Sequence, residues 1–432
     1  MSIEPVSPLK FPFRVLAWFL RNVVPGLAIS AVAVVVLALV AEAYFHVEQP
    51  SFEPKWPVVF EPDVGFRFKP NADVATTNNL DFWTRQQANS LGLLDREPIP
   101  PASRSGSCHV VLLGDSFIEA HQVAIERKVQ VQLEKLAAER APDIKLTAAA
   151  VGMSDTGQLG QLPLYDRFAR PQKPKILVLV FVKNDFGDNS ALLQSVARGL
   201  DPRHLPRLSG RRSDAGSLEL QPIDADWTQF ALPRFQPPPP NWLRAELLRH
   251  SRLYRWVEEN AWRAALFFGR YFYGPTAAAY DSDAIVHYAR TLAQRPEYAR
   301  VLADWDAKAM PAVDEVFFEE QLPSAFREAL EITGFALDQY QERARRDGFR
   351  LLILATQTMK REGGQNLAFD RLSHLAAARG IPLIDLFAEI QRRGGRVADA
   401  RFRYDGHWSP QGHRWAAEAL LDHIMQHPGL CR

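Results

Sequence analysis

The chain has 432 residues, with 51 basic and 50 acidic side chains and a formal net charge of +1 at pH 7. That balance excludes the basic footprint of a nucleic-acid partner, and 47% hydrophobic residues exclude a disordered chain. The only cysteines, Cys108 and Cys431, exclude a cysteine-built zinc site.

The first predicted element is apolar. Val23 to Ala41 is interrupted only by Ser30 and the Pro25-Gly26 pair. At about 1.5 Å per residue it reaches about 28 Å, close to the hydrocarbon thickness of a bilayer. Lys10, Arg14 and Arg21 precede it, and Glu42 and Glu48 follow. Basic flanks stay inside, so residues 1–22 read as a cytoplasmic leader, 23–45 as a transmembrane anchor of the inner membrane, and the rest as extracytoplasmic or periplasmic. Ala41-Glu42-Ala43 also fits a signal-peptide cleavage site. The length of the run and of the leader favours an uncleaved anchor over that alternative.

Residues 46–105 are proline-dotted and read as an extended lead-in with short strands. An α/β alternation follows. His109–Leu113 is a strand that runs into the tight turn Gly114-Asp115-Ser116-Phe117. A helix is expected around Ala124–Arg140, a strand at Lys145–Ala149 with a turn from Gly152, a helix near Leu159–Phe168, and a strand at Lys175–Val182. Fully apolar runs of this length suit parallel strands covered on both faces. From Ser190 to Arg346 no strand is evident, and residues 191–346 read as a helical insertion. It holds the proline run Pro237 to Pro240 and a helix capped by Asn241, with Arg244, Arg249, Arg252 and Arg255 beside Trp242, Tyr254, Trp256 and Trp262. Those residues read as the two faces of an amphipathic helix, with an anionic-polysaccharide contact as the alternative. A further helix is expected from Pro323 to Gly348. The alternation then resumes with strand Leu351–Ala355, helix Gln365–Arg379, strand Pro382–Asp385 and the turn Asp405-Gly406-His407, after which Pro410 opens the last helix. Segments 106–190 and 347–432 therefore form one catalytic domain split by the insertion.

Acyl transfer by serine needs a nucleophile, a base, an orienting acid and donors for an oxyanion. Ser116 offers the hydroxyl, His407 the base and Asp405 the carboxylate. The backbone N–H groups of Ser116 and Gly152 and the amide of Asn184 offer donors. In a parallel sheet these strand ends share one edge, where ligands bind. Each residue also has a plainer role: Ser116 as a helix cap, Asn184-Asp185 as a turn, His407 as a structural histidine. Asp115, Asp185, Asp188 and His407 could suggest a metal hydrolase, but no second histidine cluster completes such a site. No metal and no cofactor are expected. Of the two neighbouring histidines, His413 falls on the first turn of the last helix and reads as structural. Cys108 begins the first core strand, and the last helix returns Cys431 toward the same end of the sheet, so a disulfide is expected.

Gly114-Asp115-Ser116, Gly152 within Ala150-Val151-Gly152-Met153-Ser154, Asn184-Asp185 and the late Asp405/His407 pair resemble the four blocks of the SGNH (GDSL-type) hydrolases. Asn89-Ser90-Leu91-Gly92-Leu93-Leu94-Asp95-Arg96-Glu97 is similar to the lead-in of membrane-anchored bacterial members. The resemblance implies a flavodoxin-like three-layer α/β/α fold, Ser116 as nucleophile, Gly152 and Asn184 as oxyanion donors, and His407 with Asp405 as base and acid. Val182 stands where that family has a glycine. Asp405 lies two residues before the histidine rather than three, a spacing similar to that of alginate O-acetylation proteins. The implied reaction is hydrolysis or transfer of a small acyl ester, on an acylated carbohydrate of the cell surface or on a small ester. The alternatives are a lipid or aryl esterase and a catalytically weak polysaccharide-binding assembly protein, whose insertion could bind a membrane acyltransferase in place of polysaccharide.

Overall fold

The computed structural model describes residues 18, 21–48, 55–77, 81–213, 215–224, 243, 246–247, 250–254, 256–257, 289–307, 312–403 and 405–431. The proline run and most of the arginine and tryptophan set of the expected insertion lie outside them. The chain divides into two compact units. One is drawn from Met1–Phe52 and Phe235–Ala277, the other from Glu53–Arg234 and Ala278–Arg432.

In the smaller unit the apolar run forms helix α1, Val24–Glu48. Its Val24–Val47 stretch has a mean hydropathy of 2.6 and none of it is buried. It is long and apolar enough to cross a membrane or to serve as a signal sequence.

The larger unit is built on one parallel sheet. The lead-in contributes two antiparallel hairpins, β1 Val58–Glu61 with β2 Gly65–Phe68, and β3 Asp73–Thr77 with β4 Trp83–Gln87. The core begins with β5 Cys108–Gly114, the short α2 Ser116–Glu119, α3 Val129–Arg140 and β6 Leu146–Gly152. Next come α4 Gln158–Leu164, β7 Ile176–Phe181, α5 Asp185–Asn189 and α6 Ala191–Arg198. A third hairpin pairs β8 Ser209–Arg212 with β9 Leu218–Gln221. Helices α7 Pro296–Leu302, α8 Val313–Val316 and α9 Ser324–Asp347 lead to β10 Arg350–Ala355. The chain continues through α10 Leu367–Ala377, β11 Leu383–Asp385 and α11 Leu386–Arg392 to α12 Pro410–Gln426.

The strand order is β11-β10-β7-β5-β6, every pairing parallel. Counting the five core strands in chain order gives 2-1-3-4-5, the flavodoxin-like arrangement, with its switch point between β5 and β7. The strands are mostly apolar because both faces are covered. Val111 and Leu113 of β5 and Leu177, Leu179 and Phe181 of β7 face one core with α4, α9 and α10. Val110, Leu112, Ile176, Val178 and Val180 face the other with α3 and α12. The fold is thus a three-layer α/β/α sandwich.

Two expected boundaries change. First, α9 is a core helix and not part of an insertion. Phe326, Ala329, Ile332, Ala336, Leu337 and Tyr340 make one fully buried stripe within the first core. Gly348, at φ +77°, then ends the helix in a left-handed cap and turns the chain into β10. The stretch after Ser190 is also not purely helical, since β8–β9 packs there, with Gly210 against Leu159 and Ile332. Second, the lead-in is built into the larger unit. Strand β6 lies at the sheet edge, and the Ala150 N–H donates to Asp95 at 2.8 Å while Arg96 donates to the Ala148 carbonyl at 3.0 Å. The lead-in therefore covers backbone groups that an open edge would expose.

Cys108, at the start of β5, and Cys431, after α12, are joined in a disulfide with Cα atoms 5.0 Å apart.

Candidate active site

The site lies at the switch point, where β5 and β7 end side by side. At the end of β5, Asp115 caps α2 by accepting the Phe117 N–H at 2.9 Å. Asp115 thus takes the capping role that was open for Ser116. The serine becomes the first residue of α2, half-buried, and its hydroxyl is left for another partner.

Gly152 ends β6 level with Gly114. A β-carbon there would lie 2.1 Å from the Glu119 backbone nitrogen and 2.4 Å from the Ile118 carbonyl carbon. Only glycine lets β6 approach the backbone of α2 this closely. Gly152 therefore sets the seat of the helix that carries Ser116, but it does not line the cleft above the serine.

The base arrives from the other end of the chain. Trp408 is buried and donates its indole N–H to Gln357 at 2.6 Å, while the Phe402 N–H donates to the His407 carbonyl at 3.1 Å. Ser409 caps α12. The loop so fixed places His407 Nε2 2.7 Å from Ser116 Oγ and Nδ1 2.5 Å from Asp405 Oδ1. The same carboxylate oxygen accepts the His407 backbone N–H at 2.8 Å. A carboxylate can only accept, so Nδ1 carries the proton and Nε2 is left to accept from the serine hydroxyl. Burial works against the imidazolium, but the Asp405 carboxylate outweighs it, and the pKa of His407 is raised above the ordinary value. Asp405 is itself shifted down, the His407 contacts prevailing over burial.

Asn184 follows β7 and lines the same cleft. Its amide donates to Asp188 at 2.7 Å and lies 3.4 Å from Asp115 Oδ2. The carboxylates beneath it are buried. Burial drives Asp115 up to about 6 against the Phe117 N–H, and it raises Asp188 against Arg198. Asp185 is raised well above its usual range by burial and by the Asp115 charge, and it accepts from the Val182 N–H and the Gln158 amide. These acids are engaged by protein donors. Among the described residues, no three histidine, cysteine, aspartate or glutamate side chains form a group that could hold a metal ion.

His413 is buried on α12. Its Nδ1 accepts the Val129 N–H at 3.3 Å, and burial followed by the Lys128 charge pushes its pKa down to about 3. It lies apart from Ser116, packed against Trp408.

Several residues of the site went unread in the sequence, the charged rim and His121 among them. His121 lines the cleft, its ring centroid 6.2 Å from that of His407. Its carbonyl accepts from Thr76, Thr84 and Gln86 of the β3–β4 hairpin at 2.9, 2.5 and 2.9 Å. Burial, then the His407 charge, pushes the His121 pKa down to about 4. The only signal was its place five residues after Ser116, and the hairpin that seats it had no motif to announce it.

The cleft encloses about 800 Å³ and carries a charged rim. Arg198 pairs with Asp155 at 2.8 Å, Lys183 pairs with Asp314 at 2.7 Å, and Arg401 lines the cleft, exposed.

No protein-family model matches the chain, and no curated protein matches it. Among solved structures it is similar to an acetylxylan esterase from Geobacillus stearothermophilus, at 10% identity and a TM-score of 0.36 over 74% of this chain and 96% of that one. It is similar to a lipase/acylhydrolase from Enterococcus faecalis at 10% identity and a TM-score of 0.32, over 74% and 95% of the two chains. A putative lipolytic protein of the G-D-S-L family from Desulfitobacterium hafniense aligns at 9% identity and a TM-score of 0.32, over 73% and 99%. Likeness of this degree fixes neither family nor activity.

Proposed function

We propose that the chain is a membrane-anchored serine esterase or O-acyltransferase of the SGNH type, with its larger unit outside the cytoplasmic membrane. The observation that carries this reading is the run of short contacts from Ser116 Oγ to His407 Nε2 and from His407 Nδ1 to Asp405. Ser116 Oγ attacks the ester carbonyl as its proton passes to His407 Nε2. The oxyanion of the tetrahedral intermediate is met by the Ser116 N–H group and by the Asn184 amide, which turns from Asp188, while Gly152 acts by seating the helix that carries Ser116. The C–O bond breaks as His407 returns the proton to the leaving alkoxide. Water, or a hydroxyl of an acceptor, then takes the acyl group from Ser116 by the same proton path.

The substrate in this reading is a small acyl ester on a carbohydrate. A rim of Arg198, Asp155, Lys183, Asp314 and Arg401 suits a hydroxyl-rich ligand better than a lipid tail, which would need apolar walls. The disulfide suits an oxidising compartment, and α1 with its basic leader suits an anchor with that orientation. The test is labelling with a fluorescent serine-directed phosphonate together with hydrolysis of p-nitrophenyl acetate. Labelling at Ser116, lost in Ser116→Ala along with turnover, is expected. A folded protein that neither labels nor turns over would leave a binding module instead.

A further inference from the structure

Helix α1 ends in an unusual way for a free membrane anchor. Its carboxylate at Glu42 accepts from the Ser251 hydroxyl at 2.7 Å and from the backbone N–H groups of Arg252 and Leu253 at 2.8 and 3.0 Å. Those are first-turn donors that a helix beginning at Arg252 cannot satisfy within itself. The debt is returned in kind. Arg252 donates to the carbonyls of Phe45 at 3.2 Å and His46 at 3.4 Å. These belong to the last turn of α1, where carbonyls have no intrahelical partner. Each segment thus caps the end of the other. Trp256 adds an aromatic contact, its ring centroid 5.6 Å from that of Phe45.

The level of this clamp along α1 is set by the sequence. Val24 to Ala41 is free of charge, and 18 residues span about 27 Å. Glu42 is the first charged residue after Arg21, so it stands at the outer boundary of the hydrocarbon if Arg21 stands at the inner one. Tyr44 and Trp256 beside it are exposed in the chain, as are Val257 and Leu243. Aromatic rings with polar edges, an arginine that can extend toward the headgroups and exposed apolar neighbours make up the chemistry of a bilayer interface.

We propose that the segment around Arg252–Val257 lies in the outer interfacial layer of the phospholipid bilayer, held there by reciprocal capping with α1, and that the mature chain keeps α1. The chain then touches the membrane at two places far apart in sequence. A cut after Ala43 would remove Glu42 and leave the Arg252 and Leu253 N–H groups without their acceptor. The proposal rests on the membrane reading of α1, not on the ester chemistry.

The experiment uses the full chain in vesicles of phosphatidylethanolamine and phosphatidylglycerol. The native cysteines are paired, so Val257→Cys gives one thiol for an environment-sensitive nitrobenzoxadiazole label, with Arg396→Cys as the solvent-exposed control. Nitroxide-bearing lipid should quench the label at 257 and spare that at 396. Iodide quenching should be about fivefold weaker at 257 than at 396. Adding Glu42→Ala should return the 257 label to iodide while the protein stays in the membrane fraction. Where Glu42→Ala protein does not accumulate, Arg252→Gln serves the same arm. A 257 label open to iodide in the parent protein overturns the proposal, as does one that stays in lipid regardless of Glu42 and Arg252. A mature amino terminus beyond Glu42, or recovery in the soluble fraction, overturns the proposal together with the membrane reading beneath it.

Discussion

His407 is held between opposing influences, and the balance has a measurable sign. Burial favours the neutral ring and Asp405 favours the cation. The cation gains, so the pKa is raised. Catalysis needs the neutral ring, because only then can Nε2 accept the serine proton. Activity should therefore fall as pH drops, with an acid limb above the ordinary histidine value of about 6.5. A kcat/KM profile on p-nitrophenyl acetate checks this. Asp405→Asn should move the limb down and lower turnover by about four orders of magnitude, as loss of the orienting acid does in serine enzymes. The two histidines should part company. His407→Ala should lower kcat by several orders of magnitude, while His413→Gln leaves kcat within about tenfold. The reverse pattern, in folded proteins, would reassign the base. Asn184→Ala should lower kcat by about 10²–10³ with little change in KM, the mark of a donor used in the transition state.

At the scale of elements, the approach of β6 to α2 can be tested by one methyl group. Gly152→Ala meets backbone atoms, which cannot rotate away as a side chain can. It should cost about 1–3 kcal/mol in stability and displace Ser116 from His407. Loss of turnover larger than the fall in Tm implies is the expected outcome, and an active, equally stable variant would show that the strand yields. The disulfide ties the first core strand to the end of the last helix. Cys431→Ser should lower stability by about 2–5 kcal/mol, read by denaturant unfolding. Much of this layer was legible in the sequence. Strands with apolar residues on both faces, a serine on a glycine turn and a late acid–histidine pair all announce themselves locally. Helix α9 was not placed correctly, because an amphipathic stripe says that one face is buried but not against what. His121 and the β3–β4 hairpin escaped because their tie is three hydrogen bonds to one carbonyl across the chain, which leave no periodicity. The β6 edge was hidden for the same reason, since Asp95 reaches a backbone N–H that no spacing identifies.

For the whole molecule, the buried His109 and His413 and the half-buried His121 set a response to acid. Burial pushes His109 and His121 down to about 4 and His413 to about 3. The unfolded chain binds these protons below about pH 6.5 while the folded chain refuses them until far lower pH. Their share of stability is thus present at neutral pH and is lost as pH falls from about 6.5 toward 4. Asp115, raised to about 6, acts in the opposite direction, because its folded form takes up a proton first. The net slope is a difference, so the informative quantity is a change on substitution. His413→Gln should shrink the fall in Tm between pH 7 and pH 5. An unchanged fall would mean that the imidazole finds a proton without unfolding.

Ser116 and His407 are separated by 291 positions along the chain, yet their side chains touch. In this reading the leader stays inside and the chain is exported from the anchor onward, so the nucleophile reaches the far side long before its base. Until the loop that carries His407 has docked, the hydroxyl has no proton acceptor. The enzyme in this reading is silent during its own export. Esterase signal then reports completed delivery, and chains stalled before residue 407 should remain inert toward both ester and phosphonate.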